Sequence, residues 1–174
     1  MATEIERKFV LNNVGILSVL GNGTTISQGY MANGHYLVRV RQFGEKACIT
    51  LKSAVNGLTR EEYEYLIPVE DALQMLSQCV PTEIVTKTRY VYPIGLYNLE
   101  IDVFSGLLQG LVIAEIELEH ESDIVHVPDW LGEDVSHETL FLNSNLARLS
   151  ASDLPHLKAL VASYGGAWLS SDSV

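Results

Sequence analysis

Charged residues in this chain recur at every second position and are grouped by sign. The basic pairs are Arg39/Arg41 and Lys87/Arg89. The acidic groups are Glu4/Glu6, Glu62/Glu64, Glu100/Asp102 and Glu115/Glu117/Glu119. The residues between them are mostly apolar or aromatic. Since side chains two positions apart point to the same face of a β-strand, each segment predicts a strand with one charged face and one apolar face.

Turn signals and spacing divide the chain into eight predicted strands. They span approximately residues 3–11, 24–31, 35–43, 46–53, 58–68, 83–92, 96–104 and 111–121. Asn33-Gly34 predicts a two-residue hairpin turn, and Gly44-Glu45 predicts the next turn. Helical spacing of apolar residues appears over 13–20, 69–79, 138–148 and 153–164. We expect one α+β domain, mainly antiparallel β, over residues 1–165, followed by a flexible tail over 166–174.

The separation of the charges by sign favours a closed barrel. A sheet with its charged face in water usually mixes Thr, Ser, Gln and Lys there, whereas arginine pairs and glutamate pairs here occupy separate strands. Arg39 and Arg41 would repel each other unless opposite charges or ligands lay nearby. An eight-stranded closed barrel (a tunnel) with a few flanking helices would bring both signs into one wet lumen and leave no edge strand exposed. Such a lumen would bind a polyanion on its basic side and divalent cations on its acidic side.

The charged residues also indicate which ligands to expect. No glycine-rich phosphate-binding loop is present, so phosphate recognition should depend on guanidinium and ammonium groups. The candidates are Arg39, Arg41, Arg89, Lys8, Lys52 and Lys87. Carboxylates without cysteine or histidine companions favour Mg²⁺ or Mn²⁺ over zinc.

The composition excludes several other classes of protein. The chain has 22 acidic and 11 basic residues, a net charge of −11, which argues against nucleic-acid binding and against a basic membrane-binding surface. Its longest apolar stretches, such as residues 107–114, are far shorter than the roughly 18 residues of a membrane span. Glu4 and Glu6 stand where a signal peptide would become apolar, and two cysteines are typical of a reducing cytosol. We therefore expect a cytoplasmic protein.

The order of the motifs resembles that of the CYTH, or triphosphate tunnel metalloenzyme, superfamily. EIERK, which spans Glu4 to Lys8, is followed by RVR, TLK, TREEYEY, TKTRY, LEID and AEIELE. Residues 128–147 are similar to the closing segment of that family, so the resemblance covers roughly residues 1–149. It implies an eight-stranded antiparallel tunnel, dependence on a divalent metal and substrates that carry a triphosphate.

The resemblance also implies roles for individual residues. Metal ions would be held by Glu4, Glu6, Asp102, Glu115 and Glu117. Phosphate oxygens would be bound by Lys8, Arg39, Arg41, Lys52, Lys87 and Arg89, and the acidic lining would be completed by Glu62, Glu64 and Glu100. The residues expected to be catalytic are Lys8, Glu4 and Glu6. Arg60 and Glu119 are expected to be solvated or pairing residues, and Lys158 is expected at the surface more than at the tunnel mouth.

The function that follows is metal-dependent hydrolysis of a phosphoanhydride bond. Inorganic tripolyphosphate is the expected substrate, because nothing in the sequence marks a purine or thiazolium pocket. The alternatives on the same fold are a class IV-type adenylate cyclase, a thiamine triphosphatase and a non-catalytic module that binds polyphosphate or nucleotide. The intact acidic set argues against a pure anion binder. Formation of a homodimer is left open.

Overall fold

The structure, a computed structural model, describes residues 3–54, 56–79 and 83–170. The strands in this part of the chain are β1 Thr3–Leu11, β2 Thr24–Asn33, β3 Leu37–Phe43, β4 Lys46–Lys52, β5 Thr59–Ile67, β6 Val85–Ile94, β7 Tyr97–Phe104, β8 Val112–Glu117 and β9 Leu131–Asp134. The helices are α1 Val69–Ser77, α2 Asn143–Leu146 and α3 Leu154–Ser163. Short 3-10 helices cover Val14–Val19, Gly106–Leu108 and Thr139–Phe141.

Strands β1 to β8 form a closed antiparallel barrel, which confirms the predicted fold. Their order around the barrel is β5-β4-β3-β2-β6-β7-β8-β1, and pairing of β1 with β5 closes the circle. At this seam Glu4 lies opposite Arg60. On its other edge β1 pairs with β8, where Glu6 lies opposite Glu117 and Lys8 opposite Glu115. The alternating charges seen in the sequence thus meet across the strands of one cylinder.

The short strand β9 was not predicted from the sequence. It pairs with the C-terminal part of β1, where Phe9 lies opposite Asp134 and Leu11 opposite Leu131. Just beyond it, the Oγ of Ser136 accepts a hydrogen bond of 2.8 Å from the backbone N–H of Lys8. On this edge of β1, β5 pairs only with the first residues, and β9 pairs with residues nearer the C-terminal end. Four residues without alternation carry no strand signal, so this pairing depends on the free edge that β1 offers.

The hairpin between β2 and β3 forms, but its loop is longer than predicted. A bulge between Tyr30 and Ala32 shifts the register by one residue, so that Asn33 lies opposite Leu37 and the loop has three residues, 34–36. Without the bulge Asn33 would lie opposite Tyr36, and residues 34 and 35 would close a two-residue turn, one position later than the predicted Asn33-Gly34. The turn at Gly44-Glu45 is confirmed, and Gly44 adopts the positive φ of +55° that favours glycine there.

One end of the barrel is apolar and is closed by helices. Val10, Ile113, Val85 and Phe104 continue the inward faces of β1, β8, β6 and β7 and are almost completely buried. They belong to a cluster that includes the helical residues Leu146, Leu157 and Val161. Helix α1 instead covers the outside of β3 and β4, where Val40, Ala47, Ala72 and Leu76 pack together. The lumen is therefore polar at one end and filled with apolar side chains at the other.

The helices are short and lie against the barrel. The longest, α3, has ten residues. No helix in the described part of the chain combines the length and the apolar character needed to cross a membrane.

The predicted flexible tail begins with residues that contact the barrel. The backbone N–H of Ala167 donates to the carbonyl oxygen of Leu11 at 2.7 Å, and that of Leu169 donates to Gly110 at 2.9 Å. The side chain of Leu169 is buried. Residues 171–174 lie outside the described residues. The described chain therefore stays packed on the barrel as far as Leu169.

Candidate active site in the barrel lumen

The polar half of the lumen is a cavity of about 430 Å³ lined by charged side chains from seven strands. These side chains are Glu4, Glu6, Lys8, Arg39, Arg41, Lys52, Arg60, Glu62, Glu64, Lys87, Arg89, Glu100, Glu115 and Glu117. Every residue that the sequence assigned to the site belongs to this set except Asp102. The alternation of the strands explains the convergence, because one face of each strand must point inward.

Asp102 does not line the cavity, and it holds two of the lining cations in place. Its side chain is completely buried. Arg89 binds it in a fork, with Nε to Oδ1 at 2.7 Å and Nη2 to Oδ2 at 2.6 Å, and Lys87 donates to the same carboxylate. Burial and the neighbouring Arg89 lower the pKa of Lys87. In this arrangement Asp102 positions basic side chains and does not face the cavity.

Lys8 joins carboxylates of β1 and β8. Its Nζ lies 2.5 Å from Glu115 and 2.6 Å from Glu6. Burial disfavours the ammonium group, but Glu115 and Glu6 outweigh burial and raise its pKa. Glu115 also accepts a hydrogen bond of 2.8 Å from Arg89, and its three cationic neighbours hold its pKa well below the usual range despite burial. Both groups therefore remain charged in the lumen.

Arg60, expected to be a solvated or pairing residue at the start of a strand, is a pairing residue, but it lines the lumen, to which the sequence did not assign it. It does pair, but inside the barrel, since its guanidinium contacts Glu4 and lies 3.8 Å from Glu6. Glu4 also binds Lys52 at 2.9 Å. Burial opposes ionisation of Glu4, yet Lys52 and Arg60 lower its pKa far below the ordinary value. The sequence did indicate this position, because Arg60, Glu62 and Glu64 are two residues apart on β5 and therefore point to the same face of the strand.

Arg39 and Arg41 present unpaired donors within the barrel wall. Nη2 of Arg41 lies 3.0 Å from Glu64, and Nη2 of Arg39 lies 3.3 Å from the same carboxylate. The Nε N–H groups of both arginines are buried and have no hydrogen-bond partner in the described structure. Leaving a buried donor unpaired costs free energy, and an oxyanion in the lumen would offer the missing acceptors.

Glu6 and Glu117 form the part of the lumen with an excess of negative charge. They lie directly opposite each other on β1 and β8. Burial and the neighbouring carboxylate of Glu115 raise the pKa of Glu6, and burial together with Glu4 and Glu6 raises that of Glu117. Among the ion pairs of the described residues none involves Glu117. A cation placed beside these two groups would relieve their repulsion.

The donor chemistry of the lumen fits a hard divalent cation, although the acids are occupied by other partners. Carboxylate oxygens are the ligands that Mg²⁺ and Mn²⁺ prefer. Within residues 3–54, 56–79 and 83–170, no three Asp, Glu, His or Cys side chains converge at metal-binding distance. Glu4, Glu6, Glu115 and Asp102 instead bind lysine and arginine side chains. Those carboxylates would have to leave their basic partners before they could hold a cation.

Several uncharged residues of the site were not singled out in the sequence. Tyr30 and Leu37 line the cavity from β2 and β3, and Leu142, Asn143 and Ser144 line it at the start of α2. Asn143 accepts a hydrogen bond of 3.3 Å from Lys87. No pattern in the sequence marks the last three, because they reach the lumen only through the packing of α2 against the barrel.

Lys158 lies outside the lumen, in agreement with its expected place at the surface. Its Nζ is 5.0 Å from the centre of the Trp168 ring, a cation–π contact. It lines a shallow surface cavity with Gln109, Trp168 and Leu169. Glu119, the other residue expected to be solvated, is exposed.

The fold and the site define a barrel whose charged lumen is suited to a polyphosphate. The family model for the CYTH domain matches residues 2–157, and the chain belongs to this family. It is 39% identical over 149 residues to an inorganic triphosphatase of Acetivibrio thermocellus, a match that covers 85% of this chain and 95% of the relative. It is 35% identical over 150 residues to an inorganic triphosphatase of Nitrosomonas europaea, with 83% and 97% covered.

A solved structure supports the same assignment. The crystal structure of an inorganic triphosphatase matches this chain with a TM-score of 0.61 and 32% identity. The match covers 86% of this chain and 97% of the other. The fold and the family that the motifs implied are therefore confirmed.

Proposed function

We propose that this protein hydrolyses a phosphoanhydride bond of inorganic tripolyphosphate in the lumen of the barrel. The observation that carries the proposal is that Arg39 and Arg41 line a cavity together with further cations and that each has a buried Nε N–H group without a hydrogen-bond partner. The similarity to inorganic triphosphatases supports the choice of substrate. A triphosphate without an organic group matches a lining in which most side chains are charged.

Binding of the substrate would exchange the ion pairs of the lumen. Lys8, Arg39, Arg41, Lys52, Lys87 and Arg89 would give up contacts with carboxylates and contact phosphate oxygens instead. The carboxylates that they release would then be available to a divalent cation. Because most groups of both sets are already paired with each other, the ligand-free lumen holds most of its charges next to opposite ones. Substrate and cation together would replace the internal pairs with equivalent ones.

Membership of the CYTH family implies dependence on a divalent metal, and we propose Mg²⁺ or Mn²⁺. Glu6 and Glu117 would hold it, with Glu4, Glu115 and Asp102 as the remaining predicted ligands. The bound cation would supply neutralisation of charge on the phosphate oxygens. The arginine forks would fix the orientation of the phosphates, and their positive charge would stabilise the negative charge that spreads over the transferred group. The closed apolar end would exclude bulk water from one side of the lumen.

The test is an assay of the purified protein with tripolyphosphate, ATP and thiamine triphosphate in the presence of Mg²⁺ or Mn²⁺. Release of orthophosphate from tripolyphosphate at the highest kcat/KM is the expected result. Formation of cyclic AMP and pyrophosphate from ATP would instead identify a cyclase, and preferential cleavage of thiamine triphosphate would identify a thiamine triphosphatase. Binding without turnover would identify a binding module. Arg148→Ala, which changes an exposed arginine outside the lumen, is the control variant and should retain full activity.

A further inference from the structure

We propose that Ser136 is a positioning residue for Lys8. Arg7 and Asp134 hold the Ser136 hydroxyl in the orientation that this role requires. The inference rests on the triphosphatase function proposed above, because it concerns the placement of a side chain that would contact the phosphates. Ser136 follows β9, and neither it nor Arg7 nor Asp134 lines the main cavity of the lumen.

Both backbone polar groups of Lys8 are bound by the segment that contains Ser136. The backbone N–H of Lys8 donates to Oγ of Ser136 at 2.8 Å. The backbone N–H of Val135 donates to the carbonyl oxygen of Lys8, also at 2.8 Å. In a regular antiparallel ladder both bonds would join backbone groups, whereas here a side-chain hydroxyl replaces one carbonyl. A single substitution at Ser136 can therefore remove a hydrogen bond of β1 without changing any backbone group.

The edge of β1 changes its partner at this point. Strand β5 pairs with residues 3–5, and the backbone N–H of Glu6 donates to the carbonyl oxygen of Leu58 at 3.2 Å. Strand β9 pairs with Phe9 and Leu11, with an irregular register between them. Lys8 lies between these two partners, and a small cavity of about 20 Å³ opens there. No continuous backbone ladder fixes β1 at Lys8 on this edge, so the bond to Ser136 has an important share in holding it.

The contacts of Ser136 direct its hydroxyl proton away from Lys8. A serine hydroxyl has one proton to donate and lone pairs that accept. Oγ of Ser136 donates to Oδ1 of Asp134, and the backbone N–H of Ser136 donates to the same oxygen at 2.9 Å. Because the proton is used there, a lone pair of Oγ is left for the N–H of Lys8.

Arg7 holds the carboxylate of Asp134 from its other oxygen. Nε and Nη2 of Arg7 lie 2.7 Å and 2.6 Å from Oδ2. Burial opposes ionisation of Asp134, but hydrogen bonds from Ser136 and from Arg7 lower its pKa. Arg7 lies next to Lys8 in β1 and therefore points to the outer face of the barrel. A chain of contacts thus runs from the outer face of β1 to the backbone of Lys8.

The position of this backbone matters most when substrate binds. In the ligand-free lumen Nζ of Lys8 is held by Glu6 at 2.6 Å and by Glu115 at 2.5 Å. The proposed function requires phosphate oxygens to replace these carboxylates, and the lysine side chain is flexible. The backbone of β1 is then the part of Lys8 that stays fixed. A misplacement of about 1 Å can cost about 100-fold in rate.

Ser136→Val and Ser136→Thr test the role as a matched pair. The two new side chains have nearly the same shape and differ in the hydroxyl. Valine is preferred to alanine because its methyl groups fill space in which a water molecule could replace the hydroxyl. With tripolyphosphate and Mg²⁺, kcat/KM should fall by about tenfold or more in Ser136→Val, whereas Ser136→Thr should stay close to the parent. A parental kcat/KM in folded Ser136→Val would overturn the proposal.

Amide hydrogen exchange at Lys8 tests the contact without any substrate. In the ligand-free protein the N–H of Lys8 should exchange faster in Ser136→Val than in Ser136→Thr or the parent, because its acceptor is lost. Unchanged exchange at this amide in Ser136→Val would overturn the proposal.

A variant of Lys8 shows whether Ser136 acts through this residue. The rise of the thermal midpoint on addition of tripolyphosphate should be smaller in Ser136→Val than in the parent. In a Lys8→Gln background the substitution of Ser136 should not reduce this rise further, since the two residues act as one unit. An equal further reduction in that background would overturn the proposal, because Ser136 would then act on the barrel as a whole.

Ser150→Val is the control for the loss of a contact between a serine and an aspartate. Oγ and the backbone N–H of Ser150 donate to the carboxylate of Asp153 at 2.6 Å and 2.8 Å, outside the lumen lining. This variant should keep the parental kcat/KM. An equal loss of kcat/KM in Ser150→Val and Ser136→Val would overturn the proposal.

Failure of a variant to fold does not prevent the test. If Ser136→Val failed to fold, Asp134→Ala would replace it, because it leaves the Ser136 hydroxyl free to rotate. A parental kcat/KM in Asp134→Ala would then overturn the proposal. A parent protein that neither hydrolyses tripolyphosphate nor is stabilised by it would overturn the proposed function itself, while amide exchange at Lys8 would still report whether Ser136 fixes the backbone.

Discussion

The carboxylates of the lumen differ in what surrounds them. Asp102 and Glu115 lie among cations, with Arg89 bound to both and with Lys87 and Lys8 each bound to one. Glu117 lies opposite Glu6, and no lysine or arginine of the described chain pairs with it. The first group is neutralised by the protein, whereas Glu117 has no basic partner in the described chain and faces Glu6, which shares Lys8 with Glu115.

This difference indicates two separate tasks. A carboxylate fixed by a bidentate arginine organises the basic side of the site before any ligand binds. Burial and neighbouring carboxylates both raise the pKa of Glu6 and of Glu117, and a bound cation would offset this cost of ionisation. We therefore expect Glu6 and Glu117 to govern metal affinity, and Asp102 to govern the stability of the barrel and the geometry of the basic side.

Removal of metal should have the largest effect on activity. With EDTA in excess, turnover of tripolyphosphate should fall to background, and Mg²⁺ or Mn²⁺ should restore it. Calcium should support turnover poorly, because it favours a looser and higher coordination than Mg²⁺. Release of orthophosphate is the measurement. Full activity in the chelator would contradict the assignment of the repelling acids to a metal.

Asp102→Asn should have the largest effect on stability. It removes the charge that neutralises the buried Lys87 and the arginine fork, and breaking a buried ion pair from one side costs about 3–5 kcal/mol. Urea unfolding at neutral pH measures this loss. Asp129→Asn changes an exposed aspartate and should stay within about 0.5 kcal/mol of the parent. If Asp102→Asn were as stable as this control, Asp102 would not be the organising residue inferred here.

Arg41→Ala should weaken substrate binding more than it weakens the fold. It removes a fork whose loss is worth about 1.5–3 kcal/mol per hydrogen bond to a charged group. Its partner Glu64 is exposed, so the folded state loses little when the pair is removed. Kinetics with tripolyphosphate and a urea titration measure the two effects. Loss of folding with parental kinetics in the remaining folded protein would make Arg41 structural.

Glu117→Gln should have the smallest effect on stability. Without metal the thermal midpoint should stay level or rise slightly, because one member of the repelling group becomes neutral. The raised pKa of Glu117 determines how the stability change of the variant depends on pH. Its ionisation in the folded state becomes unfavourable as the pH rises through that raised value, so any gain in the variant should be larger above it than below it.

Glu117→Gln should also require a higher Mg²⁺ concentration for half-maximal activity and should hydrolyse tripolyphosphate more slowly. Glu119→Gln, two residues further along the chain and outside the lumen lining, should match the parent in both respects. A parental metal titration and parental turnover in Glu117→Gln would remove this residue from the site.

Much of this architecture could be predicted from the sequence, because the period of a β-strand is local. Side chains two residues apart point to the same face of a strand, so Glu4, Glu6 and Lys8 share one face of β1 wherever that strand lies. The separation of the charges by sign then indicated a shared lumen, and the order of the motifs identified the family. The bounds of the predicted strands differ from those observed by only a few residues, because turn residues such as Gly44 mark them.

Only the tertiary structure decided how deeply each side chain is buried and which residues of distant strands contact each other. Alternation places Glu100 and Asp102 on one face, but the packing decides that Asp102 is completely buried and does not line the cavity, whereas Glu100 does. Arg60 has the same phase as Glu62, yet its contact with Glu4 exists only because β1 and β5 close the barrel. The start of α2 lies at the cavity only because the helices close one end. Side-chain direction follows from neighbours along the chain, whereas register, closure and burial follow from pairings between residues far apart in it.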